Sequence, residues 1–396
     1  MLANGLAALY HQLACSLQTN TNLRLRLRNC DGVSRKSDHI RICLEGDVQG
    51  RGISTGFEQV RLLHQALPEM SLSDVDTGTT LAGHALRSPF LVSAMTGGTP
   101  EASAINRNLA IAAQELGIAM VVGSQRPAIE DPDLMPTYQV RAFAPDVLLF
   151  ANLGAVQLNA GFGLEECRRA VEMIEADGLV LHLNPLQECL QPEGDRNFRG
   201  LADKIAQVVK RVGVPVMVKE VGWGISARVA RLLYDAGIRI VDVAGAGGTS
   251  WSEVESRRAP NASAGRVAAA FADWGIPTSE AIANVLTVSR DFAVIASGGV
   301  RTGVDAAKAI ALGATAVGIA LPLLAPACQD EAAVVELLQE FEQQLRIAMF
   351  CSGSRTLREL PSALAPRNSG RLHRRQANAG RSRSFHAHPT LRSVRH

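Results

Sequence analysis

Short apolar runs recur along the chain with amphipathic stretches between them, the alternation expected of βα units and a parallel sheet. Eight runs predict strands, at 90–94, 119–123, 147–152, 178–183, 214–219, 238–243, 293–297 and 316–319. Each is nearly continuous in apolar residues, as a strand buried on both faces must be. Helical periodicity fills the intervals at 101–116, 164–175, 200–212, 224–236, 279–290 and 304–312, and predicts a last helix over 331–350. Between Ala119 and Gly154 a proline-laden loop stands in place of a long regular helix. Eight strands at this spacing favour an α/β fold of the closed (β/α)8 TIM-barrel type over a doubly wound sheet.

Composition is compatible with that picture. A chain of 396 residues with 47% hydrophobic residues, 4% aromatics and 35 glycines can bury a large aliphatic core while keeping many backbone positions permissive. The barrel is expected over 34–364. Residues 1–33 form an extension expected to be poorly ordered; its first twenty residues lack the Lys or Arg of a signal peptide. The stretch NLRLRLRN faintly resembles an organelle transit peptide, and an over-called start would look the same.

Charge separates the tail from the rest. Segment 365–396 carries eight arginines and no acidic residue, so with a net charge of +2 overall the first 364 residues sum to −6. A nucleic-acid surface on the main body is excluded as an expectation, and the tail, poor in core-forming residues, is expected to be disordered and solvated. The seven cysteines show no CxxC pair, which points to a reducing, cytoplasmic compartment. No apolar run reaches the ~18 residues of a membrane span, so no membrane partner is expected.

Candidate chemistry sits where strands end. Ser297–Arg301 and Gly318–Ala320 follow the seventh and eighth strands, where barrels bind phosphate through backbone N–H groups and a helix N-terminus. The alternative is that the glycines only make tight turns. Lys219 closes an apolar strand and suits the N1/O2 edge of a flavin, with a structural pair to Glu220 or Asp242 as the plain alternative. His182, Asn184, Gln187 and Glu188 form the densest polar group; one carboxylate plus substrate phosphates is how Mg2+ usually binds. Arg35, Lys36 and His39 form a basic group upstream, which alone reads as a solvated turn. Trp251 and Glu255 share a helix face if the segment is helical.

Taken together, RKSDHI, SAMTGG, GSQR, ANLG, HLNPLQE, VKEVGWGIS, AGAGGTSW, ASGGVRTG and GIALPLL, in this order between about Ser34 and Leu364, resemble the type 2 isopentenyl diphosphate isomerases, FMN-dependent barrel enzymes. The resemblance implies FMN held by Ala94, Met95, Thr96, Ser124, Asn152, Lys219, Thr249, Gly298, Gly299, Arg301, Gly318 and Ala320. It implies a small-molecule diphosphate bound by Arg35, Lys36, His39, Arg126 and Gln187, with catalytic roles for Gln187, His182, Asn184 and Glu255. Glu188 resembles the family's Mg2+-binding glutamate. NADPH to reduce FMN and a homotetramer or octamer are further implications.

Rival readings make different demands. An FMN-dependent 2-hydroxy acid oxidase needs a catalytic His after strand six, where this chain has GAGGTSW. An IMP dehydrogenase-like enzyme needs a nucleophilic cysteine there, and none lies between Cys189 and Cys328. A flavin-binding protein without turnover is compatible with the same residues.

Overall fold

Residues 35–366 are described by a computed structural model, and the expectations for 1–33 and for the tail lie outside those residues, apart from Ala365 and Pro366. Contacts divide the chain into Met1–Leu364 and Ala365–His396. In the first unit, a short antiparallel hairpin, β1 (Thr79–Leu81) and β2 (His84–Leu86), precedes eight parallel strands. These are β3 (Phe90–Val92), β4 (Ala119–Val121), β5 (Leu149–Gly154), β6 (Gly178–Leu183), β7 (Val216–Glu220), β8 (Ile240–Asp242), β9 (Ala293–Ala296) and β10 (Ala316–Ile319). They pair in sequence, and β10 pairs back onto β3 to close the barrel.

Alternation along these strands explains why their sequences are apolar throughout. Leu91, Val121, Phe150, Val180, Met217, Ile240, Ile295 and Ala316 pack together inside the barrel, with Leu81 and Leu86 of the hairpin in the same cluster. Their neighbours Val92, Met120, Leu149, Leu179, Val218, Val241, Val294 and Val317 belong to the outer core, under the helices. Both faces are therefore dry, as in other all-parallel sheets. Leu81 and Leu86, each ~1.5–3 kcal/mol of burial, add to the interior packing.

Strand parity also dictates what reaches the mouth. Two residues beyond each interior side chain, on the same face, stand Ser93, Gly123, Asn152, His182, Lys219, Asp242, Ser297 and Gly318. A ring of polar or side-chain-free positions thus surmounts an aliphatic plug.

The helices are α1 (Arg35–Glu45), α2 (Pro100–Leu116), α3 (Arg126–Glu130), α4 (Leu164–Met173), α5 (Pro185–Leu190), α6 (Leu201–Arg211), α7 (Ala227–Asp235), α8 (Trp251–Arg258), α9 (Ala262–Ala269), α10 (Thr278–Val288), α11 (Gly303–Ala311), α12 (Leu321–Ala327) and α13 (Glu331–Cys351). Capping explains several limits. Thr99 accepts from Ala102 N–H ahead of α2, Pro100 occupies the first turn, and Gly117 at φ +63° ends the helix. Among the described residues no helix is long and apolar enough to cross a membrane.

Two features differ from the sequence expectations. The RKSDHI segment is not a turn but the start of α1. The loop holding Gln187 and Glu188 is a helical turn, α5, entered through Pro185. The second barrel interval, expected as a proline-laden loop, does hold only α3 and short 3-10 turns, because Pro127, Pro132 and Pro136 deny it a continuous hydrogen-bond ladder.

Candidate active site

One cavity opens at the C-terminal ends of the strands, the face on which barrels of this type place their chemistry. Seven of the eight ring positions line it; the eighth, Asp242, lies fully buried beneath. All of the site residues expected from sequence line this cavity except Glu255, which stands one layer behind Gln187. Arg35, Lys36, Arg126, Lys219 and Arg301 line the cavity together with one carboxylate, Glu188. In a main body of net charge −6, such a concentration of cations marks an anion site.

α1 supplies Arg35, Lys36 and His39 to the rim. Burial lowers the Lys36 ammonium to about 8, with Arg35 adding to the shift and no carboxylate among the described residues offsetting it. Arg35 reaches Gln191 Oε1 at 3.3 Å and Glu193 at 3.6 Å. Arg126, opening α3, is held by Glu130 at 2.8 Å and Asp195 at 2.9 Å, so its guanidinium is fixed in place at the mouth.

The polar group after β6 forms one network. Asn184 Nδ2 donates to Gln187 Oε1 at 3.1 Å and to Glu188 Oε1 at 2.8 Å. Gln187 Nε2 donates to Glu255 Oε1 at 3.3 Å, so the Gln187 amide is tied at both ends. Glu188 Oε2 accepts from Asp195 N–H at 2.7 Å; two of the roughly four lone-pair positions of the carboxylate stay available. On α8, burial pushes the Glu255 carboxyl up, but contacts with His39, Gln191 and Gln187 outweigh it and leave the group below the usual carboxylate range. His39 lies 3.3 Å from Glu255 and 5.0 Å, edge to face, from Trp251; burial lowers its imidazole from the ordinary value, with Glu255 working against the shift.

At the floor, His182 Nδ1 meets Asn152 Oδ1 at 2.9 Å. Lys219 donates to Glu220 O at 2.7 Å and stands 3.4 Å from Asp242. The sequence offered a structural pair for Lys219 as an alternative to a ligand role; the geometry shows the pair with Asp242, and Lys219 also lines the cavity.

Gly298 and Gly299 follow β9 with φ of +95° and +75°, and a Cβ on Gly298 would sit 2.1 Å from Gly245 O. These glycines are therefore required for two strand-end turns to pack backbone to backbone, whatever binds above them. The phosphate expectation needs one correction. The N-terminus of α11 is already closed by a capping box between Thr302 and Asp305, and Asp305 also takes the Arg301 and Thr302 N–H groups. A phosphate there would have to rely on the Gly298–Gly299 turn, the 318–320 segment and Arg301.

Residues present fit a flavin phosphate and a hard cation. Ser93 Oγ, Thr96 Oγ1 and Asn184 Oδ1 are buried and lack a hydrogen-bond partner among the described residues; each lies in a residue that lines the cavity. Buried polar atoms of this kind are normally satisfied, so they are addressed to a ligand. No group of three or more His, Cys, Asp or Glu among the described residues could hold a metal alone. Glu188 with substrate oxygens is the arrangement left, and it is one Mg2+ accepts.

Sequence reasoning missed Gln191, gave Gln125 no role of its own, and named Asp242 only as one of two alternative partners for Lys219. Strand parity places Asp242 in the ring at the mouth, two residues beyond Ile240. Gln191, four residues after Gln187, donates to Glu255 at 2.5 Å. Gln125 accepts from Asn152 N–H at 2.9 Å and donates to Ala170 O at 2.9 Å, which ties β5 to α4; it stands in the GSQR motif, but the motif alone does not reveal this role.

Comparison with known proteins bears on the family and the fold. The family model described as FMN-dependent dehydrogenase matches residues 184–366. A protein of Synechocystis sp. named isopentenyl-diphosphate delta-isomerase is 57% identical over 85% of this chain and 97% of its own. Proteins of the same name from Nostoc sp. and Stutzerimonas stutzeri are 51% and 53% identical, over 87% and 84% of this chain and 96% of each relative. Among solved structures, a mandelate oxidase carrying an FMN adduct superposes with TM-score 0.56 at 21% identity, covering 82% of this chain and 94% of the other. A putative lactate oxidase of Pediococcus acidilactici gives 0.55 at 17%, covering 78% and 84%. At those identities the likeness shows the barrel fold alone.

Proposed function

The chain belongs to the isopentenyl-diphosphate delta-isomerase family, and from that premise we propose that it converts isopentenyl diphosphate to dimethylallyl diphosphate by a 1,3-allylic proton shift. The observation that carries the reading is the Asn184–Gln187–Glu255 chain beside a cation-lined cavity. It sets a rigid amide next to a buried carboxylate, within reach of a substrate whose diphosphate the cations would hold.

Lys36, Arg35 and Arg126 bind the diphosphate, with His39 and His182 alongside. Glu188 supplies the protein's oxygen to Mg2+ on the same group. Binding energy gathered there, remote from the reacting carbons, fixes the alkene over the site. Gln187 faces those carbons. Tied by Asn184 and Glu255, it cannot swing away, and Glu255, ionised in the free site, lies behind it to accept or return a proton. One proton is added to the terminal alkene carbon and one is removed from C2, so the reaction has no net redox change.

FMN fits the orphaned polar atoms and the strand-end turns of β9 and β10, and in its reduced form it would supply acid/base chemistry at N5. Ala94, Met95, Thr96, Ser124, Asn152, Lys219, Thr249, Gly298, Gly299, Arg301, Gly318 and Ala320 would hold it. NADPH would serve only to reduce it beforehand. Family membership supports the rest of the setting: a homotetramer or octamer in the cytoplasm.

Incubating the FMN-loaded protein with isopentenyl diphosphate, Mg2+ and NADPH, and separating the products, tests the proposal. Dimethylallyl diphosphate is the expected product. Flavin binding with no conversion would favour a binding protein, and oxidation of 2-hydroxy acids would favour the oxidase chemistry of the fold relatives.

A further inference from the structure

An in-register rung crosses the barrel mouth. Gly154 on β5 pairs with His182 on β6, His182 with Lys219 on β7, Lys219 with Asp242 on β8, and Asp242 with Ile295 on β9. Parity turns the three polar side chains the same way, so an imidazole, an ammonium and a carboxylate stand side by side. Only Asp242 is shut off from the cavity, at 0% exposure.

Each contact of Asp242 has a direction. Oδ1 accepts from Ser297 Oγ at 2.5 Å and from Ala244 N–H at 3.2 Å. Oδ2 faces Lys219 Nζ at 3.4 Å and makes no hydrogen bond among the described residues. Two donors thus orient the carboxylate and spread the charge of one oxygen, while the other faces the ammonium. Lys219 has three N–H donors: one goes to Glu220 O, one side faces Asp242, and what remains faces the cavity.

We propose that Asp242 is a positioning residue that draws the Lys219 ammonium back from the flavin edge, and that Ser297 sets how strongly it does so, the pair together fixing how far the reduced, anionic flavin is favoured over the oxidised one. The proposal rests on the FMN reading above and adds to it a residue that touches neither cofactor nor substrate. A lone buried Lys219 would be costly in the empty site, so a counter-charge is needed for the fold. Its placement behind the ammonium, on the side away from the cavity, makes the same charge a brake on the cation's attraction for a ligand.

Opposite signs from two variants separate this role from a structural one. Asp242→Asn keeps the shape and removes the charge, leaving Lys219 free to lean into the cavity. The ratio of affinities for reduced over oxidised FMN should rise about tenfold, ~30 mV upward for a two-electron couple. Ser297→Ala concentrates charge on the Asp242 carboxylate, draws Lys219 back, and should lower the ratio about threefold. In a Lys219→Met background the effect of Asp242→Asn should fall to less than half.

Spectroelectrochemical titration of the FMN-loaded proteins reads all three. Movement in the same direction for Asp242→Asn and Ser297→Ala, no movement, or an undiminished Asp242→Asn effect without Lys219 overturns the proposal. If Asp242→Asn does not fold, the sign for Ser297→Ala still decides it. A wild-type protein that takes up no FMN would instead refute the cofactor reading on which the proposal stands.

Discussion

His182 Nδ1 lies 2.9 Å from Asn152 Oδ1, while Asn152 Nδ2 is committed to Val122 O at 3.0 Å. The amide orientation is thereby fixed, and the imidazole carries its proton on Nδ1 and presents Nε2 to the cavity as an acceptor. Burial, with Lys219 and Lys36 adding to it, brings His182 down to about 3. The free site holds a neutral histidine.

A pH dependence follows from that depression. The folded value lies below the unfolded ~6.5, so on acidification the unfolded chain takes up a proton first. This contribution to stability is full above pH 6.5 and is lost progressively toward pH 3. Water in the cavity screens the half-buried ring, so the loss between pH 7 and 5 is about 1–2 kcal/mol for this one group. Chemical denaturation of the ligand-free protein should show it in the wild type and not in His182→Asn. Equal slopes in the two proteins would remove the assignment.

Gln187 and Glu188 are neighbours on a helical turn and so point about 100° apart, which lets them serve different partners. Glu188→Gln should raise the Mg2+ requirement and weaken substrate binding, because a hard cation loses its anionic oxygen. Gln187→Ala should lower kcat about 100-fold or more with FMN affinity and melting temperature near wild type. Steady-state kinetics over a Mg2+ series distinguishes the two. Wild-type kcat in Gln187→Ala would show that its amide only fixes the turn.

Gly298→Ala should destabilise the fold and reduce flavin content together, since φ of +95° and a 2.1 Å approach to Gly245 O leave no space for a methyl. Backbone strain of this kind costs about 1–3 kcal/mol. Thermal melting and the flavin absorbance of the purified variant check it; a normal melting temperature would mean that the two turns can separate freely.

Lys219→Ala should destabilise the ligand-free protein by about 3–5 kcal/mol, because it strands the Asp242 carboxylate at 0% exposure. Adding Asp242→Asn should restore much of the loss while FMN binding stays impaired. Denaturation and flavin titration of the single and double variants read the two effects separately. A single variant as stable as wild type would show the pair to be structurally idle.

The barrel was legible because both faces of its strands are dry: short apolar runs such as 178–183, recurring eight times with amphipathic stretches between them, read as buried strands, and the eight runs lie where the strands are. The hairpin at Thr79–Leu86 was not, since each of its strands has only three residues and no hydrophobic alternation of useful length. Likewise α1 looked like a charged turn, because its first turn is wholly polar and its buried Ile40 and Ile42 find their partners only in the folded chain. Lys219 was visible as a charge ending an apolar strand and Asp242 as one of its two alternative partners, but the choice of Asp242 over Glu220 is made by the β7–β8 register, which the sequence does not show. Gln191 and Gln125 act through hydrogen bonds to distant segments, Glu255 and Asn152, which sequence spacing does not encode.

The central claim is a proton shift without net redox, and deuterium incorporation during turnover tests it most directly. FMN-loaded, reduced protein is incubated anaerobically with isopentenyl diphosphate and Mg2+ in deuterium oxide while the flavin absorbance is followed. The account predicts dimethylallyl diphosphate carrying deuterium in the methyl group formed at the former alkene terminus, over many turnovers, with the flavin still reduced and with formation strongly slowed in Gln187→Ala. Unconverted substrate, or conversion that oxidises one flavin per molecule of product, would contradict it.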